Sequence, residues 1–336
     1  MLKKLFNKIK GILNNNYKFI IVLIFMIFIS TFKLPFYIEK TGGVIDLKDR
    51  VDNNINYSGS LNMSYVSSLN ATIPTYIISL FNSNWDAVTI KEENGTGTSK
   101  DTIFRNNIAL EESIDSAVIN AYKYSNKKLK VLIEDIYVTY IYEDAKTNLK
   151  VGDIIKQIDD VDILTKEDIL NYLNTTMANQ KIKIKVINND KEYERYAKII
   201  EHENKKIIGI ITYSDYKIKN NNLKISFEPN ESGPSGGLML SLAIYSQINH
   251  IDLTNGYNIA GTGTIDINGN VGSISGVKYK LAGAVKNNMD IFLVPNGENY
   301  KEAIKEKNKN NYNIDIYGID TFEDAIKALK KLGKKS

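Results

Sequence analysis

The sequence predicts an α+β chain: an N-terminal transmembrane helix, then a mixed α+β domain split by an inserted β-rich domain. Three observations carry this expectation. Phe19 to Phe32 is apolar except for Ser30 and Thr31. Residues 124–201 are dense in strand-like runs around one helix. From about 202 onward, strand and helix patterns alternate to the end.

The apolar run supplies about two-thirds of the roughly 20 residues that span a bilayer. Extension through Leu34, Pro35, Phe36, Tyr37 and Ile38 completes the length, with Lys33 snorkelling. A cleaved signal peptide is the alternative, but no small-x-small site follows the run. Lys3, Lys4, Lys8, Lys10 and Lys18 precede it without a single acid. They predict a cytoplasmic N-terminus and a single pass through the cell membrane, with everything downstream extracytoplasmic.

Residues 39–56 are polar and turn-rich and read as a tether. Residues 57–66 alternate polar and apolar, the period of a half-buried strand. Residues 74–82 and 108–122 carry helical periodicity. In the block 124–201, strands are expected at 129–133, 136–142, 153–158, 182–187 and 193–200, with a helix at 166–175. Its middle reads Leu149-Lys150-Val151-Gly152-Asp153-Ile154-Ile155, a tight Gly-Asp turn feeding a buried strand. This resembles a segment of PDZ domains. The resemblance implies a partner: a C-terminal or extended peptide added to a sheet edge. Val138 to Ala145 holds no glycine, so a carboxylate-cradling loop is not evident, and an inert spacer stays open beside a substrate-sensing role. Beyond it, strands are expected near 207–212, 223–228, 258–267 and 290–294. Helices are expected near 235–248, 278–287, 299–308 and 321–332. The domains expected are therefore 1–38, basic arm and anchor; 39–123, tether and first part of the split domain; 124–201, inserted; and 202–336, its main part.

Charge and composition exclude several functions. The net charge of +4 comes from the N-terminal arm: setting its five lysines aside from the 43 basic residues leaves 38 against 39 acidic. A nucleic-acid protein puts its basic excess on the folded domain, so nucleic acid is not an expected partner. There is no cysteine, which excludes disulfides, Cys-ligated zinc and thiol nucleophiles. His202 and His250 are the only histidines. No metal and no organic cofactor is indicated.

Chemistry concentrates in two motifs. The first is Gly233-Pro234-Ser235-Gly236-Gly237, opening an apolar helix. Ser235 sits near a helix N-terminus, where free amides and the dipole favour the negative charge of an oxyanion. Gly233, Pro234 and Gly236 form the turn that lets a substrate backbone approach. A simple helix cap is the competing role for Ser235. The second motif runs from Thr262-Gly263 through an Asn268-Gly269 turn to Gly276-Val277-Lys278. A lysine in the first turn of a helix is opposed by the dipole, which suits a cation that must shed its proton. A solvated surface lysine is the competing reading.

Together these motifs resemble the proteolytic domain of the Lon family, and in order and spacing its membrane-anchored, PDZ-containing branch. The resemblance implies a serine endopeptidase acting on polypeptides, with Ser235 as nucleophile, Lys278 as general base and Thr262 orienting the lysine. It also implies a homo-oligomer, since such domains form rings. Two positions depart from the pattern: Ser232, where an acid is common, and Ser275, where glycine is usual. No Gly-x-x-x-x-Gly-Lys-Ser/Thr loop occurs in this sequence, so cleavage is expected without ATP, on loose or misassembled envelope and secreted chains. The 60–66 segment, with Met63 and Tyr65, is expected as the sheet edge that pairs with substrate. A neutral lysine base predicts activity rising toward alkaline pH.

Two other classes compete. Ser275-Gly276-Val277-Lys278 and Lys40-Thr41-Gly42 imitate penicillin-binding motifs, though in the wrong order. A fold that has lost activity and binds envelope proteins as a scaffold is the other.

Overall fold

The structure is a computed structural model that describes residues 16–52, 55–91, 97–202, 204–219 and 223–335. It divides into two compact units: residues up to Lys40 with Ser67–Ile90, and Thr41–Val66 with Lys91 onward.

The first unit contains helix α1 (Tyr17–Thr31), the start of strand β1 (Lys33–Asp46), the end of β2 (Ser60–Thr72), helix α2 (Ile73–Phe81) and β3 (Trp85–Thr89). β1 and β3 pair antiparallel, from Phe36 with Thr89 to Lys40 with Trp85. Helix α1 overturns the transmembrane expectation. Its 15 residues rise about 22 Å, short of the ~30 Å hydrocarbon core. The chain turns extended at Phe32. Pro35 disfavours helix at Leu34, so residues 33–38 open β1 instead of completing a span. Among the described residues, no helix is long and apolar enough to cross a membrane. The expected single-pass anchor, with its outward catalytic domain, is therefore not supported. Four of the five arm lysines lie at 1–15, outside the described residues.

The second unit starts with the rest of β1 and β2. The expected tether is largely ordered core: β1 runs to Asp46, and Leu47 and Val51 are buried beyond it. Helix α3 (Ser99–Tyr124) begins at a Thr98–Asp101 capping box and buries Ala109, Ala117, Val118 and Ala121. The block expected as an inserted domain follows: β4 (Lys130–Ile141), β5 (Ile154–Ile158), β6 (Val161–Asp162), α4 (Lys166–Thr175), β7 (Lys181–Asn188), β8 (Lys191–Lys198), β9 (Ile200–His202), β10 (Lys205–Ile207) and β11 (Ile210–Lys219). Its sheet runs β11-β4-β5-β7-β8 over a core that includes Val138, Ile158 and Ile184. The Gly-Asp turn is real. Gly152 holds φ +87°, and buried Asp153 accepts from Asn188 Nδ2 at 2.7 Å and Arg195 Nε at 3.0 Å. β11 pairs with β4 from Ile210 to Lys219, so this sheet continues past residue 201.

The remainder is parallel α/β. It comprises α5 (Gly237–Asn249), β12 (Asn258–Gly261), β13 (Thr264–Ile265), β14 (Val271–Gly272), α6 (Val277–Lys286), β15 (Ile291–Pro295), α7 (Glu298–Asn310), β16 (Asp315–Ile319) and α8 (Phe322–Lys330). Strands β16, β15, β12 and β2 lie side by side in parallel, with β1 next to β2. Residues 223–228 form no strand; Ile225 makes one bridge to Val51. Every residue from Gly237 to Ile248 is buried, as expected of a helix apolar on all sides. Within the 60–66 segment, residues 60–63 are not a free edge. Residues 60–63 pair with 258–261 on one side, and β1 flanks β2 on the other.

Candidate active site

The turn before α5 is built by its neighbours. Gly233 sits at φ +89° with nothing within 4 Å of a Cβ added there, so glycine is required for conformation, not for room. Its N–H donates to Asn106 O at 3.0 Å. Ser113 Oγ on α3 donates to Pro234 O at 3.0 Å. At Gly236 the demand is steric: a Cβ would fall 1.8 Å from Met63 Sδ. Met63 is thus a packing residue beneath the turn. Tyr65 is more exposed and covers Gly42 and Gly43.

Ser235 is half-buried just before the helix. The cap of α5 is Gly236, with no side-chain capping bond, so the capping role weighed for Ser235 is not realised. The Ser235 carbonyl is held twice, by Gly263 N at 2.8 Å and by Thr262 Oγ1 at 3.0 Å. Thr262 is fully buried at the end of β12.

Helix α6 opens at Gly276, φ +72°. Lys278 is half-buried in its first turn, with Nζ 4.8 Å from the Tyr279 ring centroid. Lys280, not singled out in the sequence, is only 4% exposed, and its Nζ donates to Thr262 Oγ1 at 3.1 Å. These contacts bring Ser235, Thr262 and Lys280 together. A signal existed: Val277, Lys280, Leu281 and Ala284 fall at i, i+3, i+4 and i+7, the buried stripe of α6, whereas Lys278 falls off it. Ser275 is exposed, and Lys40 lies 5.0 Å from the Trp85 ring centroid.

Ser232 is exposed, but the acid beside it is engaged. Glu231 takes a two-pronged contact from Arg50, at 2.6 and 3.0 Å, and a third bond from Glu228 N at 2.8 Å. Burial pushes its carboxyl up, yet the Arg50 bonds and the Glu228 amide outweigh this and hold it below the usual range. On α3, Asp115 moves the other way. Burial first, then Asp215, raises it to about 7.

The arrangement offers a hydroxyl at the mouth of a helix N-terminus and a buried amine whose partner, the Thr262 hydroxyl, holds the Ser235 backbone carbonyl. Residues 225–331 match the family model of the Lon protease (S16) C-terminal proteolytic domain. The match includes Ser235, Thr262, Lys278 and Lys280. Relatives in this stretch are the Lon protease of Campylobacter jejuni, 35% identical over 97 residues, and that of Mesomycoplasma hyopneumoniae, 32% identical over 93 residues. The aligned stretches cover 29% and 28% of this chain, but 12% and 10% of those proteins. Among solved structures, similar chains include the PDZ domain of an SdrC-like protein from Listeria monocytogenes (23% identical, TM-score 0.23). It covers 25% of this chain and 92% of that one. Its counterpart from Listeria innocua is 25% identical with TM-score 0.22, covering 24% and 93%.

Proposed function

We propose that this chain hydrolyses peptide bonds through an acyl-Ser235 intermediate, with Lys280 as the general base. The observation that carries the base assignment is the 3.1 Å bond from buried Lys280 to Thr262, itself bonded to the Ser235 carbonyl. The match of residues 225–331 to a Lon proteolytic domain supports the reaction class.

In this reading neutral Lys280 takes the Ser235 Oγ proton as the oxygen attacks the carbonyl carbon. The N-terminal end of α5 stabilises the oxyanion. The protonated amine returns its proton to the leaving amine, and water then cleaves the ester by the same route in reverse. Lys278, two positions before it and half-buried, is the alternative base. Without a phosphate loop in this sequence, the reaction needs no ATP and takes polypeptides that are already unfolded.

The test is cleavage of an unfolded protein, without ATP, by the full chain and by Ser235→Ala, Lys280→Met and Lys278→Met. Loss of about 10²–10⁴-fold in Ser235→Ala and Lys280→Met, with activity retained in Lys278→Met, is the expected result. The opposite lysine pattern moves the base to Lys278. Equal cleavage by Ser235→Ala removes the nucleophile assignment.

A further inference from the structure

Beside the Ser235 turn lies a cleft of about 790 Å³. Pro234, the neighbour of Ser235, lines it together with Thr264 and Ile265 of β13. The inserted domain contributes Lys166, Glu167 and Leu170 from α4. Its volume suits a ligand the size of a few residues.

Helix α4 is fastened at this place. Lys166 Nζ pairs with Glu112 on α3 and lies 5.2 Å from the Tyr213 ring centroid. Glu112 also accepts from Ser214 N at 3.0 Å. A lysine in a first turn is opposed by the helix dipole, and the Glu112 carboxylate offsets that. The next residue on α3 is Ser113, which holds the Pro234 carbonyl. One turn of α3 thus grips both the inserted domain and the nucleophile turn.

The lining suits a particular occupant. Leu170 is 56% exposed, apolar surface that a bound segment would cover. Glu167 and Asp266 are exposed carboxylates that line the cleft without a salt bridge among the described residues; Asp266 accepts from Asn268 N, Asn270 N and Asn270 Nδ2, neutral donors that leave its charge in place. Lys166 is already matched by Glu112. The remaining field is negative, and complementary charge selects partners.

We propose that this cleft seats the substrate segment flanking the scissile bond, that α4 of the inserted domain forms part of its wall, and that segments carrying lysine or arginine are preferred. The inference rests on the proteolytic reading. The inserted domain then belongs to the substrate site itself.

The test uses the full chain and fluorogenic peptides of one length and one scissile bond. Each pair carries two lysines or two glutamates, to one side of the bond or to the other. Wild type is expected to favour the lysine peptide on one side by about tenfold in kcat/KM, or about 1.4 kcal/mol. Glu167→Lys should erase most of that preference, chiefly through KM, and Glu167→Gln should fall between. Both changes are on an exposed side chain, so folding is checked by an unchanged melting profile. A preference unaltered in Glu167→Lys, or a wild type that cuts both peptides equally on both sides, overturns the cleft assignment alone. A wild type that cuts none of the peptides and no unfolded protein sinks the proteolytic reading, and the cleft with it.

Discussion

Lys280 donates to Thr262 at 3.1 Å. Thr262 has one hydroxyl proton, and it is committed to the Ser235 carbonyl at 3.0 Å. It can therefore only accept from the lysine, and the direction of the chain Lys280 to Thr262 to Ser235 is fixed by counting donors. A single buried hydroxyl ties the amine-bearing helix to the nucleophile turn.

Thr262→Val keeps the shape and removes the hydroxyl. It leaves the lysine without this acceptor and the Ser235 carbonyl with Gly263 N. The loss of this buried hydrogen bond to the amine, about 1–3 kcal/mol, predicts a kcat lower by roughly 10- to 100-fold with little change in KM. Thr262→Ser should recover most of the rate. Equal kcat in Val and Ser variants would show that the hydroxyl positions nothing.

The Arg50–Glu231 contact fixes the chain leading into the turn. Arg50→Gln strands a half-buried carboxylate and should cost about 1–3 kcal/mol in urea unfolding. Its pH signature follows from the depressed carboxyl of Glu231. Such a group stabilises the fold above its unfolded pKa, and that stability is lost as pH falls through the lower, folded value. The wild-type advantage over Arg50→Gln should therefore shrink in acid. An advantage constant down to pH 3 contradicts this origin.

Asp115 predicts the opposite slope. Its folded pKa, about 7, lies above the unfolded value of 3.8. Between these values the native state binds the extra proton, so stability falls as pH rises through that window. The penalty is absent below pH 4 and full above pH 7, of the order of 4 kcal/mol. Asp115→Asn should thus be more stable than wild type at pH 8 and nearly equal to it at pH 4. Equal gains at both values would mean that titration is not involved.

The motif-bearing residues were legible because chemistry and backbone make the same demands there. The Gly-Pro-Ser-Gly turn and the first turn of α6 lie where the patterns put them, whereas Thr262, expected inside a strand over 258–267, follows the end of β12 at Gly261. What the pattern hid was long-range. Two lysines two positions apart are told apart in sequence only by helical phase, and the packing of α6 buries Lys280 and half-exposes Lys278. Residues 39–46 look like a polar tether because their glycines serve close approach to Tyr65, which local composition cannot reveal. Apolar content alone could not set the length of α1, because Pro35 and the pairing of β1 with β3 take the residues that would have extended it.

Gly236 and Met63 supply a test of the turn that bypasses catalysis. A Cβ at 236 meets Met63 Sδ at 1.8 Å, so Gly236→Ala forces the thioether aside at a cost of about 1–3 kcal/mol. Met63→Ala alone should cost about 2–5 kcal/mol, because it opens a cavity under the turn. In the double variant the alanine methyl enters that cavity. The pair should therefore be less destabilised than the two single costs together. Additive costs would mean that Met63 does not define the room at 236, and that the glycine there serves the approach of substrate instead.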